Sequence, residues 1–234
     1  MQEITIEPTT NYIHLLSGGL DSSYALLQLA NDICEGEKDK YKISPIFFNY
    51  GQYAADTELN CSRKVVEKVK SLYTDLNIDE LIVISLKSDL FSWCTSVVMT
   101  GKTWLENDCE IYNRNMVLFS VLGSYLIGCA KKQKVENAEF EISSGFLNYE
   151  MDDSNDEFFG KISKLLNNYK EEFEFKIEFL STMDRQTTRE TIKEILKNDE
   201  KKQQEFIKLT NSCYCPIKGQ PCNECSKCIS ILAQ

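Results

Sequence analysis

A six-residue turn, Ser17-Gly18-Gly19-Leu20-Asp21-Ser22, stands between an apolar run, Tyr12 to Leu16, and a segment of helical apolar spacing, Tyr24 to Ala30. A short apolar run with turn residues directly after it reads as a buried strand, and the segment beyond the turn as a helix packed on it. The alternation continues along the chain. Strands are predicted at Ile43 to Phe48, Leu81 to Leu86 and Phe140 to Ser144, with a short one near Phe175 to Leu180. Helices are predicted from about Ala54 to Tyr73, from Asn115 to Ala130, from Phe158 to Tyr169 and from Thr187 to Lys197. Such alternation predicts an α/β fold with a mostly parallel sheet and helices on both faces. The helix from Asn115 is apolar almost all round, so it is expected to be buried. Polar stretches at 148–157 and 197–204 are expected as solvated loops or helix ends. No internal repeat is visible.

Ligands of parallel sheets bind at the carboxyl ends of the strands. The informative turns are therefore Ser17 to Ser22, Asn49 to Gln52 and Ser143 to Leu147, where Gly145 ends the fourth strand. In the first turn, Gly18 and Gly19 let the backbone bend tightly and expose N–H groups. Ser17 and Ser22 add hydroxyls, and the helix that follows points its N-terminus at the turn. Together these make an anion site suited to phosphate. An ordinary Gly-Gly turn with a Ser or Asp cap is the competing reading. Neither G-x-x-x-x-G-K-[ST] nor G-x-G-x-x-G is present.

The chain has 10 cysteines, and five of them crowd into 213–228. The N-terminal MQEITIEPTT lacks the basic and apolar regions of a secretory signal, which points to a cytoplasmic setting. There, metal binding is a stronger reading of clustered cysteines than a disulfide framework. Cys213, Cys222, Cys225 and Cys228 are spaced C-x8-C-x2-C-x2-C, which suits a closed tetrahedral zinc site. An iron–sulfur cluster is the alternative. Cys215 reads as a spare thiol or alternate ligand. The expected organisation is one α/β domain over 1–204 with a zinc-binding segment, 205–234, packed on it. With 26 Lys and Arg against 36 Asp and Glu, the net charge is −10, which weighs against a nucleic-acid partner. No apolar run reaches the ~18 residues of a membrane helix.

The string Ser17 to Ser22 matches SGGxDS, the pyrophosphatase loop of the N-type ATP pyrophosphatases. The resemblance implies a Rossmann-like, HUP-type sheet. It also implies ATP cradled by Ser17, Gly18, Gly19, Leu20, Asp21 and Ser22, and an oxygen substrate that is adenylated with release of pyrophosphate. Asp21 would place Mg2+ against the phosphates. With the cysteine knuckle at the other end, the chain resembles one family of that group, the 7-cyano-7-deazaguanine synthases of the queuosine precursor pathway. The residues that carry the likeness are Phe48-Asn49-Tyr50-Gly51-Gln52, Asn113-Arg114-Asn115, Ser212-Cys213-Tyr214 and the knuckle PCNECSKC. It implies an ATP-dependent ligase that activates 7-carboxy-7-deazaguanine, forms the amide with ammonia, and dehydrates it to the nitrile. Ser17, Asp21, Ser22 and Arg114 are then catalytic. Tyr50, Gln52, Arg114, Asn115, Gly145 and Arg189 contact the nucleotide. A homodimer is expected.

The chain departs from the family in two places. Tyr53, Ala54 and Ala55 follow Gln52, where the family continues with a basic residue and a histidine. Ser154-Asn155-Asp156-Glu157-Phe158 stands where the family reads Tyr-Pro-Asp-Cys-Arg, leaving Asp156 as the substrate residue. The sole histidine, His14, lies inside the first strand and is expected to be a satisfied core residue. The activation machinery is kept while the acceptor side is altered. Transfer of the acyl group to a protein amine, in a defence or modification system, is therefore an alternative. Sulfur transfer or amidation on tRNA, and a non-catalytic nucleotide-binding module, are weaker ones.

Overall fold

In the computed structural model, residues 3–36, 42–86, 90–102, 111–147, 155–169, 173–182 and 185–232 are described. The strands are β1 (Thr10–Leu15), β2 (Lys42–Asn49), β3 (Asn77–Ile78), β4 (Ile82–Ser85), β5 (Ala138–Leu147) and β6 (Phe173–Thr182). The helices are α1 (Leu20–Glu35), α2 (Ala55–Leu72), α3 (Val97–Thr100), α4 (Arg114–Gln133), α5 (Asp156–Leu166), α6 (Arg185–Ile195), α7 (Glu200–Ile207) and α8 (Ser226–Leu232). All strand pairings are parallel, in the order β3-β2-β1-β5-β6, with β4 also on β2. β3 pairs with the start of β2 at Lys42 and Ile43, and β4 with its end from Ile46 to Asn49. The two short strands therefore share one edge of the sheet.

Period-two alternation splits the side chains between two cores. Ile46 and Phe48 of β2 join Ile13, Phe140 and Ile142 under α4 and α5, where Phe119, Leu122, Leu126 and Phe159 pack. Ile43 and Phe47 of the same strand face α1, α2, α6 and α7, against Leu26, Leu27, Val65, Val69, Ile192 and Phe206. The parallel sheet with helices on both faces is thus the architecture the alternation predicts.

Three elements differ from expectation. β5 does not turn at Gly145 but runs to Leu147, because β6 pairs with it as far as Leu147↔Thr182 and satisfies the backbone beyond the end of β1. The polar stretch 197–204 contains most of the first turns of α7. Asp199 caps that helix by accepting from the Lys202 N–H, and Phe206 anchors it in the core. The expected helix at 158–169 ends at Leu166, and residues 167–169 tighten into a 3-10 turn. Most of the polar stretch at 148–157 lies outside the described residues. Among the described residues, no helix is long and apolar enough to cross a membrane.

Candidate active site

β1 has β2 on one side and β5 on the other, and the chain reaches them through opposite excursions. That switch point opens a crevice at the strand ends. A cleft of about 310 Å³ lies there, walled by the Ser17–Ser22 turn, the end of β2, the start of α4 and the segment around Ser212.

The turn is built to present donors. Ser17 Oγ and Ser22 Oγ lie 3.0 Å apart, the Ser17 N–H reaches Ser22 Oγ at 3.2 Å, and the Gly19 N–H reaches Ser17 Oγ at 3.4 Å. Gly19 is the N-cap of α1 and supplies no side-chain cap, so the competing reading of a Ser or Asp cap does not hold. First-turn N–H groups of an α-helix have no intrahelical partner, and they favour an anion. Two glycines fit for steric reasons. Gly18 has φ +76°, and a Cβ there would meet the Glu58 carbonyl oxygen at 2.5 Å. Gly145 of β5 abuts the first turn of α1, where a Cβ would meet the Asp21 carbonyl oxygen at 2.1 Å.

The opposite wall is aromatic and charged. Arg114, the first residue of α4, holds its guanidinium carbon 6.0 Å from the centre of the Tyr50 ring. Its Nε donates to Asn115 Oδ1 at 3.2 Å. Burial pushes the Tyr50 hydroxyl pKa up, against the pull of Arg114. Gln52 is buried and its amide serves the turn: Oε1 accepts from the Tyr50 N–H at 2.9 Å, and Nε2 donates to the Phe48 carbonyl at 3.1 Å. The same Nε2 donates to Glu58 Oε2 at 2.9 Å. Burial raises the Glu58 pKa, opposed by Gln52 and by Arg114. Asn49 Oδ1 accepts from the Gly51 N–H at 3.1 Å, which closes the turn where the family's aspartate would stand.

His14 is fully buried, as expected. Its Nε2 is 2.9 Å from the Ser22 carbonyl oxygen and its Nδ1 is 2.9 Å from Ser143 Oγ. A carbonyl only accepts, so Nε2 carries the hydrogen and Nδ1 accepts from the Ser143 hydroxyl. Burial outweighs the bond to Ser22 and lowers the His14 pKa to about 4. The ring is neutral and joins β1, β5 and α1 beneath the cleft.

The C-terminal segment is tied to the turn. The Asn211 N–H donates to the Gly18 carbonyl at 2.8 Å and the Leu20 N–H to Ser212 Oγ at 3.4 Å. Directly after them, Cys213, Cys215, Cys222 and Cys225 place their sulfurs within 4.8 Å of one another. Cys222 Sγ is 3.5 Å from that of Cys213, 3.3 Å from Cys215 and 3.9 Å from Cys228. A tetrahedral ion with metal–sulfur bonds of ~2.3 Å has sulfur–sulfur edges of about 3.8 Å. The cluster fits one such ion. A four-iron cube fits less well, because each thiolate then binds a different iron and stands farther from the others. Burial opposes ionisation of Cys222, but N–H groups of Glu224 and Cys225 and the thiols of Cys215 and Cys213 bring its pKa down to about 6. Cys215 thus stands in the group of four mutually close sulfurs, in the place the spacing gave to Cys228, whose sulfur lies 3.9 Å from that of Cys222.

Of the residues singled out by sequence, Ser17, Gly19, Asp21, Ser22, Tyr50, Gln52, Arg114, Asn115 and Gly145 line the cleft. Gly18 supports the turn from below. Leu20 and Arg189 line instead a smaller neighbouring pocket of about 150 Å³, which shares Asn211 and Ser212 with the cleft. Asp156 is exposed in the first turn of α5 and does not line the cleft. Glu58 and Lys227 line it without having been singled out, and Ser144 and Tyr214 line it from segments that were named without a role for these two residues. Glu58 follows Gln52 by six residues, so i to i+4 spacing along one helix could not flag the pair.

Residues 11–232 match the profile of the family described as queuosine biosynthesis protein QueC. The curated 7-cyano-7-deazaguanine synthase 1 of Desulfitobacterium hafniense (strain Y51) is 29% identical over 113 residues, which is 47% of this chain and 47% of that relative. The match thus spans about half the length of the curated relative. Among solved structures, the U34-tRNA thiolase NcsA from Methanococcus maripaludis with its 4Fe-4S cluster is similar over 95% of this chain and 64% of its own, at 14% identity and a TM-score of 0.42. The QueC profile is matched from β1 to α8, and the chain belongs to the QueC family.

Proposed function

We propose that this protein is an ATP-dependent carbon–nitrogen ligase that adenylates a 7-carboxy-7-deazaguanine-type carboxylate and passes the acyl group to ammonia, giving the amide and then the nitrile. One observation carries the reading most directly. The same cleft sets the N-terminus of α1, which its N-cap Gly19 leaves without a side-chain cap, and two serine hydroxyls alongside Arg114 and an aromatic wall. The first group suits a polyphosphate. Tyr50, Phe48 and Tyr214 suit a flat heterocycle.

In this reading, Ser17, Ser22 and the α1 N–H groups hold the pyrophosphate part of ATP as negative charge builds on it. Arg114 neutralises the carboxylate while that group attacks the α-phosphorus. Asp21 and the two serines offer the hard oxygen donors that Mg2+ takes. Gln52 positions the turn rather than touching the ligand. A zinc ion at the cysteine cluster would fix residues 211–214 against the phosphate turn, which gives the segment 205–234 a structural role.

The test is mass spectrometry of the protein incubated with ATP, Mg2+, 7-carboxy-7-deazaguanine and ammonia. A product of nitrile mass, with AMP released, supports the reading. Absence of AMP and pyrophosphate contradicts it. A second reading changes only the nucleophile, to a protein amine. It is favoured by Tyr53, 54% exposed where the family has a basic residue, and by Asp156 not being among the residues that line the cleft. It predicts AMP release that waits for a protein acceptor, and an amide-linked mass on that acceptor.

A further inference from the structure

We infer that Glu58 is the base that takes protons from the incoming nitrogen. This rests on the reading of the cleft as a carboxylate-to-nitrogen ligase site.

The chemistry sets the requirement. Ammonia enters with three hydrogens, and the nitrile nitrogen leaves with none, so protons must be removed repeatedly at one point. In the first transfer the nitrogen lone pair forms the C–N bond, and the carbonyl electrons move to oxygen. The nitrogen is then cationic and acidic, and one proton passes to the carboxylate. The carbonyl reforms, the bond to the adenylate oxygen breaks, and AMP leaves with that electron pair. In the second activation the amide oxygen attacks a second ATP, releasing pyrophosphate, while the nitrogen lone pair forms a C=N bond. One N–H proton passes to the base, and the other follows as AMP leaves with the C–O electron pair and the triple bond forms. The base gives each proton to water before taking the next. A carboxylate is a sufficient base at each stage because the nitrogen becomes acidic as the bonds change.

The structure narrows the candidates. His14 is closed inside the sheet with both ring nitrogens bonded. Among the described residues that line the cleft, the carboxylates are Asp21 and Glu58. Asp21 sits in the first turn of α1, at the phosphate end. Glu58 lies between the two walls. Its backbone carbonyl packs under Gly18, while its side chain holds the Gln52 amide at 2.9 Å and faces Arg114. The titratable groups that act on it or feel it are Arg114 from α4, Tyr50 from the β2 turn and Cys61 from the next turn of α2. Arg114 favours the charged carboxylate, and burial strengthens it as a base. The Gln52 amide holds one carboxylate oxygen, Oε2, in place at the wall of the cleft.

The experiment separates the half-reactions in Glu58→Gln and Glu58→Asp. Carboxylate-dependent exchange of labelled pyrophosphate into ATP reads adenylation, and amide formation from ammonia reads nitrogen transfer. The expected result is that Glu58→Gln keeps exchange within about threefold of the wild type and loses amide formation by at least ~100-fold. The acidic limb of its pH–rate profile disappears, and Glu58→Asp recovers part of both. Unchanged amide formation with an unchanged acidic limb in Glu58→Gln overturns the inference. Loss of exchange in Glu58→Gln, with wild-type exchange intact, also overturns it. No exchange in the wild type is the failure of the ligase reading itself, and takes the inference with it.

Discussion

The Cα of Gly145 in β5 faces the backbone carbonyl of Asp21 so closely that a Cβ would sit 2.1 Å from its oxygen. Backbone rather than a flexible side chain lies in the way, so nothing can rotate aside. The first turn of α1 is seated directly on the neighbouring strand end, which fixes the phosphate turn relative to the sheet. Gly145→Ala is expected to destabilise the fold by about 1–3 kcal/mol through overpacking. It should also abolish the rise in melting temperature on adding ATP and Mg2+. Differential scanning fluorimetry of both proteins checks this. A variant that keeps the full nucleotide-dependent rise contradicts the seating.

Arg114 stands over Tyr50 and faces Glu58, and a planar guanidinium suits both contacts. Lysine keeps the charge but not the plane or the fork of donors. Arg114→Lys should lower kcat/KM by roughly 10–100-fold, and Arg114→Ala by roughly 100–1000-fold. Steady-state pyrophosphate release gives both values. Lysine activity equal to arginine would reduce the role of Arg114 to bare charge.

His14 makes stability depend on pH in a stated direction. Its folded pKa, about 4, lies below the ordinary 6.5, so between these values the unfolded chain binds more protons than the native one. Stability from this group is full above pH 6.5 and is lost as the pH falls toward 4, by roughly 3 kcal/mol. Glutamine can donate to the Ser22 carbonyl and accept from Ser143 without titrating. The stability gap between wild type and His14→Gln, read by urea unfolding, should therefore shift in favour of the variant on going from pH 7 to pH 4.5. Parallel pH curves would contradict a neutral buried imidazole.

The cysteine cluster and the phosphate turn are joined through Asn211 and Ser212. Removing the metal should therefore cost nucleotide binding as well as stability. Cys222 has three sulfur neighbours within 3.9 Å, so Cys222→Ser should be the most damaging single cysteine change. A loss of about 3 kcal/mol corresponds to roughly 6–12 °C in Tm at this size. Elemental analysis should show one zinc per chain in the wild type and none in the variant. ATP affinity that survives removal of the metal would separate the two features.

Much of this arrangement was legible in the sequence, and the illegible parts share a cause. The strand–turn–helix around Ser17 to Ser22 is encoded locally, by an apolar run, two glycines and helical spacing. The knuckle of Cys222, Cys225 and Cys228 is equally local. Strand order is not: nothing near Phe140 says that β5 lies against β1 rather than at an edge, and its extension past Gly145 depends on β6, some 35 residues away. Glu58 looks like any charged residue on an amphipathic helix until Gln52 and Arg114 are placed around it. Cys215 reads equally as a spare thiol or an alternate ligand in the sequence, and only the folded loop, which sets its sulfur 3.3 Å from that of Cys222, favours the second. Arg189, placed near the phosphates by resemblance, lines the adjoining pocket instead.

The proposed function turns on attack by a carboxylate oxygen on the α-phosphorus of ATP in this cleft. The most direct measurement uses 7-carboxy-7-deazaguanine carrying oxygen-18 in its carboxylate, with ATP, Mg2+ and ammonia, followed by mass spectrometry of the nucleotide and phosphate products. The expected products are AMP containing one heavy oxygen and pyrophosphate containing none. Unlabelled AMP, or ADP with labelled phosphate, would contradict it.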